Sequence, residues 1–240
     1  AYLTAENAYA DAVLAPTKPM QEALFKEITG RIKQDDSSVP YLDNGYYYYT
    51  RFEVGGSYPI VARRKGSMDA PEEIILDQPD MAKGANFFQI GGRQVSPDNR
   101  LLAFAEDKVG RRQFVLKVKD LTTGKTLEDS IPNVQAGFAW AGDNKTIFYI
   151  EKDPVTLLGK RVKAHVLGTP ASSDRLVYEE KDDTYSLGIG TTSSEKYICI
   201  YSSKTVSDEQ RCAPVADPTR FTVLAPRATD FLYGADHVGN

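Results

Sequence analysis

The sequence predicts an all-β fold, a partial β-propeller of about four blades with four antiparallel strands each, behind an N-terminal helical segment. Three observations point there. Short apolar runs at residues 101–105 and 146–150 follow polar turns of similar make, Ser96-Pro97-Asp98-Asn99 and Gly142-Asp143-Asn144-Lys145. The corresponding turn residues Asp98, Asp143 and Glu195 stand 45 and 52 residues apart, the period of a four-stranded blade. Each apolar run gives way to charge and then to an alternating strand, as in Phe114, Leu116 and Val118. A continuous apolar run must be covered on both faces, and stacking sheets around an axis supplies that cover. A sandwich with irregular loops competes, but the recurring order of turn, two-sided strand, charged loop and alternating strand favours the propeller.

In chain order, residues 1–33 form the helical segment and 34–240 the propeller. Thr4 suits an N-cap, Pro16 stops the first helix, and Thr17 caps a second with Pro19 in its first turn and Gly30 at its end. Met20, Leu24 and Ile28, with Phe25 beside them, make one apolar stripe. The opening residues read as a helix already under way, so the protein is expected to start further upstream. Residues 31–40 are a polar connector carrying Asp35 and Asp36, whose charges could attract cations but need no function there.

The blades are expected at about 41–84, 88–133, 137–181 and 185–228, with a fifth opening at 229–240. Strands are read at 46–54, 58–63 and 72–76, then 89–95, 101–105, 113–119 and 126–131. The third unit places strands at 146–150, 161–166 and 175–178, and the fourth at 197–201, 210–215 and 221–224. Fourteen tyrosines suit strands.

A net charge of −4 argues against a nucleic-acid surface. No run spans a bilayer and no signal peptide opens the chain, so a cytoplasmic protein without membrane contact is expected. Cys199 and Cys212 are too few for a disulfide framework and lie symmetrically about a hairpin loop. They could face each other, but two reduced thiols are the expected state. With only His165 and His237, far apart, neither a metal site nor a cofactor is expected.

The strings GRIKQDDSSVPYLDNGYYYYTR, SPDNRLLAFAEDKVGRRQF, KDPVTLLGKRV and LVYEEKDDTYSLGI carry a more specific signal. They resemble the propeller portion of the prolyl oligopeptidase family of serine peptidases, in its oligopeptidase B (protease II) branch. The likeness runs from AENAYADAVLAPTKP to YGADHVGN. It implies a seven-bladed propeller covering the mouth of an α/β-hydrolase domain, which admits short peptides and cuts after Arg or Lys. The catalytic Ser, Asp and His of such proteins belong to the hydrolase portion. These 240 residues hold no Gly-x-Ser-x-Gly elbow, so the resemblance implies a propeller piece, inactive alone, whose partners are the hydrolase domain and short basic peptides.

Four charged residues, Glu106, Asp107, Arg111 and Arg112, are expected on the loop after the second unit's apolar strand. They could form interdomain ion pairs that govern opening, or simply a solvated loop with internal Glu–Arg pairing. Glu179, Glu180, Asp182 and Asp183 could steer basic peptides to a tunnel, although a soluble inter-blade loop is the simpler reading. Ser96 and Ser194 sit in turns with no histidine close in sequence, which favours a turn role over nucleophilic attack. Trp140 and the tyrosines at 46–49 could form an aromatic platform, but core is the better assignment.

Two other functions compete with the gating propeller. One is a free-standing propeller that binds protein partners without enzymatic activity. The weaker one is a propeller glycosidase, for which no paired carboxylates show. With only about four blades, apolar surface around Tyr48, Phe52, Ile198 and Ile200 is expected to lie uncovered and to drive self-association.

Overall fold

The computed structural model describes residues 1–239. Helices α1 (Tyr2–Leu14) and α2 (Lys18–Gly30) are joined by a 3-10 turn at Ala15–Thr17, where Pro16 removes a backbone donor. Thr4 lies inside α1 rather than capping it. Thr17 makes no cap bond; its Oγ1 donates to Leu14 O at 2.7 Å and accepts from Gln21 Nε2.

A four-stranded sheet follows, with β1 (Tyr41–Asp43), β2 (Tyr46–Arg51), β3 (Ile60–Lys65) and β4 (Glu73–Asp77) in chain order. The sequence reading missed β1, although Asn44-Gly45, with φ of 43° and 81°, is a strong two-residue hairpin signal. The single-turn helix α3 (Gln78–Met81) leads to a seven-stranded sheet. It comprises β5 (Gln89–Val95), β6 (Leu101–Asp107), β7 (Phe114–Asp120), β8 (Thr126–Trp140), β9 (Thr146–Lys152), β10 (Gly159–Val166) and β11 (Arg175–Glu179). The third sheet is β12 (Ser186–Thr191), β13 (Tyr197–Lys204), β14 (Ser207–Pro214) and β15 (Thr222–Val223).

The expected division at residues 133–137 falls within β8. Its first part pairs with β7 and its last part with β9, so one strand serves two units. The left-handed turn positions are Asn99, Asn144 and Glu195, with φ of 64°, 56° and 57°. The structural repeat is therefore 45 and then 51 residues, one residue off the alignment expected for Glu195.

Three apolar cores lie between successive units, and the two-sided strands feed two cores each. On β6, Leu102 and Phe104 pack with Tyr48, Val61 and Leu76 of the first sheet, while Ala103 and Ala105 pack with Trp140, Ile147 and Tyr149. On β9, Ile147 and Tyr149 face back and Phe148 and Ile150 face forward onto Leu187, Ile198 and Ile200. This is the period-2 burial that the apolar runs predict. Trp140 and Tyr48 are core, and the Trp140 indole donates to Gln94 O at 3.0 Å. Gly92 is where β5 and β8 approach, since a Cβ there would lie 2.1 Å from Ala136 O.

Tyr48, Ile198 and Ile200 are buried, which corrects the expectation that they lie uncovered; only Phe52 is exposed. Their alternation places them toward the neighbouring unit. The far side of the third sheet is partly closed by the residues after β15. Asp208 N–H donates to Phe231 O, Gln210 Nε2 donates to Ala235 O, and the His237 ring packs on Tyr197. Apart from one bridge, Ser207 to Phe231, residues 231–238 form no strand. Cys199 and Cys212 stand opposite each other in the β13–β14 register, 4.1 Å apart at Cα, and form a disulfide rather than the expected thiols.

Uncovered apolar surface instead sits on α1 and α2, which bury no residue: Tyr2, Leu3, Met20, Phe25 and Ile28 are all more than half exposed. An apolar stripe of this kind normally meets a partner. The expected outcome is concentration-dependent self-association, and the triple change Leu24→Glu, Phe25→Glu, Ile28→Glu should weaken it by at least about tenfold. Sedimentation in which the unaltered chain stays monomeric at high concentration would contradict this.

Candidate functional site: the loop end of the stacked sheets

Side-chain bonds tie the first turns of successive units together. Asn44 Nδ2 donates to Pro97 O, Asn99 Nδ2 donates to Asn44 O, and Asp98 N–H donates to Asn144 Oδ1. Those turns share one end of the stack. The loops after β2, β6 and β9 leave from the other. The connector joins there too, since Ser38 N–H donates to Thr50 O and Phe52 N–H to Asp36 O. At that loop end a groove of about 700 Å³ opens, lined by Arg111, Arg112, Gln135, Ile150, Lys152 and Ile189, among others.

The structure places Glu106 and Asp107 as the last residues of β6, both buried, not on a solvated loop as expected. Glu106 is held by Lys117, with Nζ 2.6 Å from Oε1, and by Lys108 at 3.8 Å, so its partners are lysines rather than arginines. Asp107 accepts three backbone bonds, from Val109 N–H (2.8 Å), Gly110 N–H (3.0 Å) and Arg112 N–H (2.7 Å). Burial opposes its charge, but these donors win and hold its carboxyl below the ordinary range. The loop is thereby folded around one carboxylate, with Arg112 in the left-handed region at φ 54°. Arg111 and Arg112 are exposed and, among the described residues, form no salt bridge.

Lys152 completes this end, and the sequence reading passed over it. It is 6% exposed and its Nζ donates to Arg112 O at 2.7 Å. Burial, and then the Arg112 charge, push its ammonium below the ordinary lysine range. A signal was present: Lys152 lies 45 residues after Asp107, at the same place in the repeat.

The second acidic group is mostly neutralised. Glu179 pairs with Arg161 at 2.9 Å, and Asp183 pairs with Lys160. Asp182 accepts Thr184 N–H and Oγ1–H. Glu180 is buried and takes both arms of the Arg227 guanidinium, at 2.9 and 3.3 Å, with Tyr178 Oη–H donating at 2.7 Å. Arg227 also reaches Glu209 at 3.1 Å. Burial alone would raise the Glu180 carboxyl, but Arg227 and Tyr178 bring it down to about 2. Arg227 and Glu209 had no sequence signal, because they meet Glu180 only once the third sheet stacks.

The fold also brings His237 to Ser194, which sequence distance had argued against. Ser194 Oγ lies 2.8 Å from His237 Nδ1, 3.1 Å from Thr192 Oγ1 and accepts from Lys196 N–H. Asp236 bonds Ser193 and the His237 backbone instead of the imidazole, so among the described residues no carboxylate orients the ring as a triad requires. The contact fastens residues 236–237 to the β12–β13 turn. Ser96 Oγ serves its own turn, donating to Asp98 and accepting from Leu101 N–H. The second histidine, His165, is buried in the seven-stranded sheet between Asp174 (2.8 Å) and Asp129 (3.0 Å). Among the described residues no group of three His, Cys, Asp or Glu is arranged for a metal ion, and no helix is long and apolar enough to cross a membrane.

Comparison with known proteins places this architecture. The family profile for the prolyl oligopeptidase N-terminal β-propeller domain matches residues 1–240. The chain is 50% identical over its whole length to dipeptidyl aminopeptidase BI of Pseudoxanthomonas mexicana, and 29% identical over 98% of it to protease 2 of Moraxella lacunata. It spans 35% of the length of each. The structure of oligopeptidase B from Leishmania major superposes on 99% of the chain with a TM-score of 0.89 at 26% identity, and 34% of that protein is covered. The chain therefore belongs to the prolyl oligopeptidase family, of which it is the N-terminal propeller domain.

Proposed function

We propose that this chain is the substrate-gating propeller portion of a serine oligopeptidase that hydrolyses short peptides after Arg or Lys. The three sheets are read as four blades, with the seven-stranded sheet counting as two that share β8. Hydrolysis is assigned to a longer protein carrying this segment, because the 240 residues contain no nucleophile elbow. The observation that carries the reading is the whole-chain similarity to peptidases of one family, including protease 2 and oligopeptidase B. Short basic peptides are the proposed substrates and the hydrolase portion the proposed partner. It would meet the loop end, where the exposed helices attach.

One observation favours a second specificity. The 50% identity to a protein named dipeptidyl aminopeptidase BI exceeds the 29% to protease 2, which supports release of dipeptides from free N-termini. A paired assay of the longer protein separates them, using an N-blocked arginyl amide and a dipeptidyl amide with a free amine. Cleavage of the blocked arginyl amide is the expected result; cleavage of the free-amine substrate alone would select the second reading. The 240-residue chain is expected to turn over neither. Turnover by it would overturn the assignment of chemistry to another region, and inactivity of the longer protein on both would favour the binding-module reading.

A further inference from the structure

The groove at the loop end is charged in one sense. Arg111 and Arg112 stand exposed at its rim and Lys152 is buried in its wall, while among the described residues no carboxylate lines it. Asp107 lies beneath the loop with its oxygens occupied by three backbone donors, so the groove keeps a net positive charge. Gln135 adds one neutral polar side chain, and the apolar part of the lining includes Phe114, Ile150, Leu187 and Ile189. Its volume of about 700 Å³ suits a ligand of a few residues.

The walls also offer backbone. In β8 the ladder to β9 is interrupted between Val134 and Phe138, which takes residues 135–137 out of that pairing. Gly188 and Ile189 pair with β13 on one side only, and their other edge faces the groove. An extended peptide can bond to strand edges of this kind, and guanidinium groups match a carboxylate with two parallel bonds.

We infer that this groove holds the C-terminal end of a short peptide, with the terminal carboxylate on Arg111 and Arg112 and the last side chain on the apolar floor. The inference rests on the peptidase reading for its ligand class, but binding by this chain needs no hydrolase. The two can therefore fail separately: amide turnover tests the first and the following titration tests the second.

The probes are the tetrapeptide Gly-Gly-Ala-Leu as the free acid, the same peptide as its C-terminal amide, and inorganic phosphate, each titrated calorimetrically into the 240-residue chain. The free acid is expected to bind at least about tenfold more tightly than the amide, because charge-assisted bidentate bonds are lost with the carboxylate. In the double variant Arg111→Gln, Arg112→Gln the acid and amide should bind alike. Both side chains are exposed, so an unchanged circular dichroism spectrum and melting temperature are expected and confirm that the fold is retained. Equal binding of acid and amide by the original chain, or a preference that survives in the folded double variant, would overturn the inference. So would phosphate binding as tightly as the free acid, which would make the groove a plain anion site.

Discussion

Arg227→Ala should lower the unfolding free energy by about 3 kcal/mol, the lower end of the cost of removing one partner from a buried pair. The lower end applies because the guanidinium keeps a quarter of its surface in water, whereas Glu180 is 4% and Glu209 10% exposed. Without Arg227 the buried Glu180 carboxylate loses its cation, while Glu209 keeps Arg211, and adding Glu180→Gln should recover part of the loss. The acid limb gives an independent reading. Glu180 is depressed from 4.5 to about 2, so its contribution is complete above pH 4.5 and disappears as pH falls through about 2. In the Arg227 variant that slope should flatten. Urea unfolding at pH 7, 4 and 3 measures both, and a loss under about 1 kcal/mol with an unchanged acid slope would contradict the role given to the cluster.

Asp107→Ala should be at least as costly, at about 4 kcal/mol. Three N–H groups lose a charged acceptor, each bond being worth about 1.5–3 kcal/mol, with part of the loss recovered where the opened loop meets water. Asp107→Asn should cost nearly as much. An amide nitrogen in place of the carboxylate oxygen that takes the Arg112 N–H would set donor against donor. Lys152 Nζ holds Arg112 O, so loosening this loop also releases that ammonium from this carbonyl. A melting curve for the Ala variant within a degree or two of the original would show that the loop does not depend on the carboxylate.

The strand runs were legible because their burial is two-sided: a continuous apolar stretch such as 101–105 has one stable setting, between neighbours on both faces. The turns were legible through Asn and Asp, which tolerate the left-handed backbone found at Asn99 and Asn144. Where charge was read as solvated, the reading failed for a local reason. Glu106 and Asp107 continue β6 past its apolar part, and the backbone donors and lysines that receive them come from other strands and a folded loop. Face assignment failed at Tyr48, Ile198 and Ile200, because alternation says that two faces differ without saying which one has the neighbour. Lys152 was accessible by carrying the repeat one strand further; Arg227 was not, since it lies past β15 and reaches Glu180 only once the third sheet stacks.

The fifteen residues of β8 give the stack a built-in asymmetry of stiffness. Its main chain pairs with β7 along the first part and with β9 along the last, so one continuous strand joins the second unit to the third. The seams on either side, at β4–β5 and β11–β12, share no strand and are crossed by side-chain packing, one connecting segment and separate hydrogen bonds such as Asn44 to Pro97 and Gly142 N–H to Val215 O. Spreading of such a fan is expected at those two seams before the centre.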